Sequence, residues 1–242
     1  MTDRPILFSD PMVRAILREI ERPGSGKTQT RRVAKRQDVV LRNGRPFVPT
    51  GVHSELPFSQ PGWDVGDRLW VREAWRLTQV GGGSGGGMLP FHAYESCYRA
   101  DDHTDYFEFE GEADPFLAFA SDGWRPSIFM PRWASRITLT VTDVRVQRLQ
   151  DITETDAIAE GAARLVVDDD GKYYESDAGT HRCGFAGLWN HLNDKRGFGW
   201  DRDPWVVALT FRPELIGGEL SRREWNETPD GWPPTAATKA RD

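Results

Sequence analysis

A chain of 242 residues with 38% hydrophobic side chains can bury a sizeable core, and no apolar run approaches the roughly 20 residues needed to span a bilayer. Its two cysteines, Cys97 and Cys183, lie far apart without a CxxC pattern, which argues against a disulfide framework and a zinc knuckle. A net charge of −6 speaks against nucleic-acid binding on average, yet the charge is segregated: Lys27, Arg31, Arg32, Lys35, Arg36, Arg42 and Arg45 face only Asp38, whereas Asp101 to Asp114 is an acidic stretch.

Taken in chain order, a short strand at Ile6 to Ser9 precedes a helix over Pro11 to Glu21, with Asp10 as N-cap and Val13, Ile16, Leu17 and Ile20 on one face. Gly24 to Arg32 then sets a lysine, three hydroxyls and two guanidiniums on a Gly-rich turn. Gly26-Lys27-Thr28 matches the end of a triphosphate-binding loop, but that pattern needs a glycine where this chain has Glu21, and a strand where it has a helix. A Pro/Gly-punctuated stretch covers Asn43 to Pro61. In the next strand, within Gly66 to Trp75, Leu69 and Val71 alternate against Trp70 and Arg72.

Gly81 to Gly87 is almost pure glycine, and the following residues to about Gly123 read as acidic and irregular, with a strand at Tyr94 to Arg99. Ile137 to Val146 is apolar at period two with a change of phase near Thr142-Asp143, the pattern of a long bent strand. Thr153 with Asp156 forms a capping box that opens a helix carrying Ala157, Ala159 and Glu160 and stopping near Gly161. Phe185 to Asn193 is predicted helical, Pro204 to Phe211 a buried strand, and the residues after Pro213 a polar tail.

These segments together resemble the ASCH superfamily, and within it the longer proteins carried by phages and prophages. The resemblance covers the opening strand and helix, the Lys27-Thr28-Gln29-Thr30-Arg31-Arg32 turn, Gly66 to Glu73, Ser127 to Trp133, Ile152 to Gly161 and the closing Pro204-Trp205 strand. It implies an α+β, PUA-like domain over residues 1–213: a small β-barrel surrounded by helices, with insertions at about 35–62 and 78–123, then the tail 214–242. Small bacterial members remove the acetyl group from N4-acetylcytidine with a lysine and a threonine of a Lys-Thr-x-Thr turn and a glutamate of a later helix. Those positions look like Lys27, Thr30 and Glu160. Ser25 stands where the family turn usually has glycine, and the insertions exceed those of the small enzymes.

The chemistry is reasonable on its own terms: hydrolysis of an exocyclic amide needs a nucleophile (Thr30), a base for its proton (Lys27, if desolvated) and a group to orient or relay (Glu160). No cofactor or metal is required, and the five histidines are too scattered for a zinc site. Of ten tryptophans, Trp70 and Trp133 are the candidates to stack a pyrimidine, with Glu73 and Arg132 for base or phosphate contacts and Arg31 and Arg32 beside the turn for substrate binding. A modified cytosine nucleoside is the expected partner, single-stranded RNA a further one, and a membrane is not; the start lacks a signal-peptide layout, so a cytoplasmic protein is expected. The alternatives are a non-catalytic RNA- or modified-base-binding module and a ribonuclease using the same lysine and carboxylate.

Overall fold

Burial follows the predicted apolar faces closely, beginning with the first helix. A computed structural model of the chain describes residues 3–43, 45–51, 54–57, 63–83, 91–110, 114, 116–168 and 170–216. β1 (Asp3–Leu7) leads into α1 (Asp10–Glu21), which buries Val13, Ala15 and Ile16 and keeps Leu17 and Ile20 half-buried. The fold is mixed α+β, mostly sheet with few helices.

A five-stranded sheet forms around β2 (Gln29–Val33), β6 (Arg68–Arg72), β10 (Ile137–Arg148) and β13 (Trp205–Leu215), in the order β1-β6-β10-β13-β2. Among the described residues the sheets do not close into a barrel. The long period-two segment is a single 12-residue strand, β10, as its alternation predicts. Strand β2 is a different matter, because Gln-Thr-Arg-Arg has no apolar alternation and reads as the continuation of a turn. Antiparallel pairing with β13, Thr30 opposite Leu209 and Arg31 opposite Ala208, makes it a strand.

The capping box closes in both directions. Thr153 Oγ1 accepts the Asp156 N–H at 3.0 Å, and the Asp156 carboxylate accepts the Thr153 N–H at 3.4 Å, which starts α2 (Glu154–Ala159); Gly161, at φ +75°, stops it. α3 (His181–Asn193) begins four residues before the predicted start because Thr180 caps it, accepting the Cys183 N–H at 3.1 Å.

Within the segment read as acidic and irregular, the predicted strand at Tyr94 to Arg99 falls in β8 (Phe91–Tyr98), which pairs antiparallel with β7 (Trp75–Gly83) before the segment and with β9 (His103–Glu110), a strand the composition does not predict. The aromatic residues of this sheet escape a composition-based reading: Trp75, Tyr94, Tyr98 and Phe107 are buried together with Leu77, Met130 and Trp133, and this packing outweighs the local acidity. The other inserted stretch carries β3 (Val40–Arg42), β4 (Arg45–Gly51) and β5 (Ser54–Pro57), while β11 (Leu165–Val167) pairs with β12 (Tyr173–Glu175). Ser84 to Gly87 and the tail from residue 217 lie outside the described residues. The tail begins later than predicted, because β13 runs on to Leu215 and the Ile216 N–H donates to Arg136 O at 2.7 Å. No helix is long and apolar enough to cross a membrane.

The chain divides into two compact units. One contains Ala15–Arg68 and Thr140–Pro213, the other Asp3–Arg14 and Leu69–Leu139 with residues 214–216. In the first, Leu149, Ile152, Ala157, Phe185, Trp189 and Val206 form a core under α2 and α3. The aromatic cluster around Trp75 and Trp133 is the core of the second.

Candidate active site

The Gly-rich turn is filled by its own chain. The Glu19 carboxylate accepts the N–H groups of Gly24 at 2.9 Å and Gly26 at 2.8 Å, and the Ser25 hydroxyl donates to Arg22 O at 2.7 Å. Amides that would cradle a phosphate are therefore taken, in keeping with the rejection of a triphosphate loop. Gly26 is needed for close approach: a Cβ there would lie 2.2 Å from Ala15 O and 2.4 Å from Glu19 N. Gly26→Ala should destabilise the protein by about 1–3 kcal/mol or more, since backbone atoms of α1 must move; a fall in the denaturant midpoint checks this.

That approach seats Lys27. Its N–H donates to Ala15 O at 2.9 Å and the Thr28 N–H donates to Ala159 O at 2.8 Å, so the end of the turn is tied to both α1 and the end of α2. The Lys27 side chain is buried, and its Nζ donates to the Glu160 carboxylate at 2.6 Å and to the Glu160 carbonyl at 2.7 Å. The other Glu160 oxygen accepts from Arg31 Nη1 at 3.0 Å. Arg31 is itself fixed by Gln29 Oε1 at 2.6 Å and by an ion pair with Asp156 at 3.0 Å, and Asp156 also accepts from Arg145 Nη2 at 3.0 Å. Both oxygens of Glu160 are thus held by cations.

Burial pushes the Lys27 ammonium down from the ordinary lysine range; Glu160 opposes this, and Arg32 and Arg31 add to it. Arg32 is lowered too, chiefly by burial, with Glu160 opposing. Of the three cations, only a lysine releases its proton at accessible pH, because a guanidinium stays charged. The arrangement is a buried lysine, lowered toward its neutral form, in hydrogen-bond contact with a carboxylate.

Thr30 is not on the turn, which ends at Thr28, but within β2, buried opposite Leu209. Alternation along the strand puts Thr30 and Arg32 on one face and Gln29 and Arg31, with the Glu160 contact, on the other. Among the described residues no hydrogen bond engages the Thr30 hydroxyl.

The sequence reading missed Gln29 and Asp156 as parts of this constellation. Asp156 and Glu160 stand four residues apart, on one side of α2, and that spacing facing an Arg-rich segment is the signal that could have revealed them. Of the basic cluster, Lys27 and Arg31 are buried in carboxylate pairs, not displayed at the surface, and exposed Arg36 pairs with Asp38.

The remaining candidates belong to the other unit. Glu73 is fully buried and forms a two-point pair with Arg136 at 2.9 Å on each oxygen. Trp133 is enclosed edge-on by Trp75, Phe116 and Phe119 at 5.0–5.6 Å between ring centres. Trp70 is buried under the Arg72 guanidinium at 4.6 Å, and Arg132 pairs with Asp3 at 3.0 Å. A cavity of about 730 Å³ beside α3 and one of about 550 Å³ beside the start of α1 are lined by neither Lys27, Thr30 nor Glu160. Among the described residues no group of three or more His, Cys, Asp or Glu side chains is assembled as a metal site. Compared with family models, curated proteins and solved structures, the chain matches none.

Proposed function

We propose that this chain is an amidohydrolase that removes the acyl group from N4-acylated cytosine nucleosides, built on an ASCH, PUA-like domain. The observation that carries the reading is the buried 2.6 Å contact between Lys27 and Glu160, with burial and two neighbouring arginines favouring the neutral amine. In the first step the Thr30 hydroxyl oxygen attacks the acyl carbon while its proton passes to neutral Lys27. The tetrahedral intermediate then collapses, the C–N bond breaks, and Lys27 returns the proton to the departing cytosine N4. Water hydrolyses the resulting threonine ester, so the balance is amide plus water to cytidine plus carboxylic acid. Glu160 holds the lysine between the two transfers, and Arg31 holds Glu160. The rival reading, in which Lys27, Arg31 and Arg32 hold phosphate, is disfavoured because carboxylates already pair with Lys27 and Arg31.

Purified protein should release cytidine from N4-acetylcytidine or a bulkier acyl analogue, without added metal and with no loss in chelator. The rate should rise with pH, since activity is present above the lowered Lys27 value and lost as pH falls through it. Absence of cytidine from the whole acyl series removes the proposal, and cleavage of a short RNA in its place selects a nuclease.

A further inference from the structure

The geometry points to a second ligand site, in the unit that lacks Lys27: the cleft of about 550 Å³ beside the start of α1 binds a nucleoside monophosphate, with the base on Trp124 and the phosphate on Arg99 and Arg125. The volume is that of a small-molecule site. Trp124 lines the cleft and is 38% exposed, unusual for the largest apolar side chain, and the Arg76 guanidinium rests on its ring at 5.0 Å. A base stacking on that indole meets a rigid platform, because the adjacent Arg125 is pinned to β7 by two backbone hydrogen bonds with Trp75, at 2.8 and 3.3 Å.

Two guanidiniums in the same lining are underused. Arg125 donates Nη2 to Ala118 O at 3.3 Å and lies over the Phe119 ring at 6.0 Å, and its buried Nε has no hydrogen-bond partner among the described residues. Arg99 spends Nε on Asp10 at 2.7 Å, which also neutralises the one carboxylate that lines the cleft among the described residues; among those residues no hydrogen bond engages the two Arg99 Nη atoms. Guanidinium forks match phosphate oxygens in pairs, and Ser127 adds a hydroxyl donor to the same wall. Cation, aromatic face and hydroxyl in one cleft fit phosphate, base and sugar of one nucleotide.

Calorimetric titration of the full chain with cytidine and adenosine monophosphates, the two nucleosides and inorganic phosphate tests this. Neither monophosphate carries an acyl amide, so turnover does not interfere. Each should bind at least about tenfold more tightly than its nucleoside or phosphate alone, and Trp124→Ala and Arg125→Gln should each weaken binding about tenfold, with unchanged circular dichroism. A 5′-phosphorylated trinucleotide that binds more tightly still assigns the cleft to a strand end; equal binding assigns it to free nucleotide. Monophosphates that bind no better than phosphate, or affinities unmoved by Arg125→Gln, overturn the site.

Discussion

Lys27→Ala and Thr30→Ala are each expected to lower turnover of an accepted N4-acyl nucleoside by at least about a hundredfold, the scale for loss of a positioned base or nucleophile. Thr30→Ser should keep part of the activity because its hydroxyl remains. Glu160→Gln preserves shape and removes the charge that opposes loss of the lysine proton, so the pH profile should shift to lower pH as its rate falls. A pH titration of stability provides an independent readout. The Lys27 value in the folded chain lies below its unfolded value, so the native state gains stability as pH climbs between the two, and Lys27→Met should abolish that rise. Wild-type turnover in all of Lys27→Ala, Thr30→Ala and Glu160→Gln would end the assignment.

The largest stability effect is expected at Arg136. Its guanidinium makes two bonds to fully buried Glu73 and two to Asp101, at 2.7–2.9 Å, and its centre lies 4.1 Å over the Tyr98 ring. Arg136→Leu leaves Glu73 buried without its counter-ion, which costs about 3–5 kcal/mol. Burial already pushes the Glu73 carboxyl up, with Arg136 opposing. Once the arginine is gone the carboxyl rises further, the native state keeps the proton to higher pH, and the loss grows as pH increases. Urea denaturation near pH 5 and pH 8 should show the larger deficit at pH 8. Adding Glu73→Leu should recover most of the loss, since two apolar side chains replace the pair and Asp101 can rehydrate. An Arg136→Leu variant as stable as the parent would show that the pair contributes nothing net.

Local signals were legible where one residue type has one physical use. Asp10-Pro11, the Thr153/Asp156 box, Gly161 after Glu160 and the period of β10 each predict an element that the fold contains, because capping, left-handed backbone and alternation are decided within a few residues, although Asp10 is not the N-cap: α1 begins at Asp10 and Ser9 O accepts the Met12 and Val13 N–H groups. Lys27 and Glu160 were nominated together from the resemblance, 133 positions apart, and they do meet. Their burial was not legible, since lysine and glutamate are ordinarily solvated.

What neighbours supply could not be read from the chain alone. Strand β2 is defined by β13, and that pairing moves Thr30 off the turn and sends its side chain to the face opposite Arg31. The sheet β7-β8-β9 exists because its aromatic residues bury one another, so acidic composition misled. Glu73 and Trp133, candidates for substrate contacts, are held by Arg136 and by an aromatic cage. Sequence thus specified turns, caps and periodicity, all short-range consequences of backbone geometry. Partner, burial and the direction of each pKa shift came from tertiary packing, because desolvation and ion pairing depend on which distant groups share the same small volume.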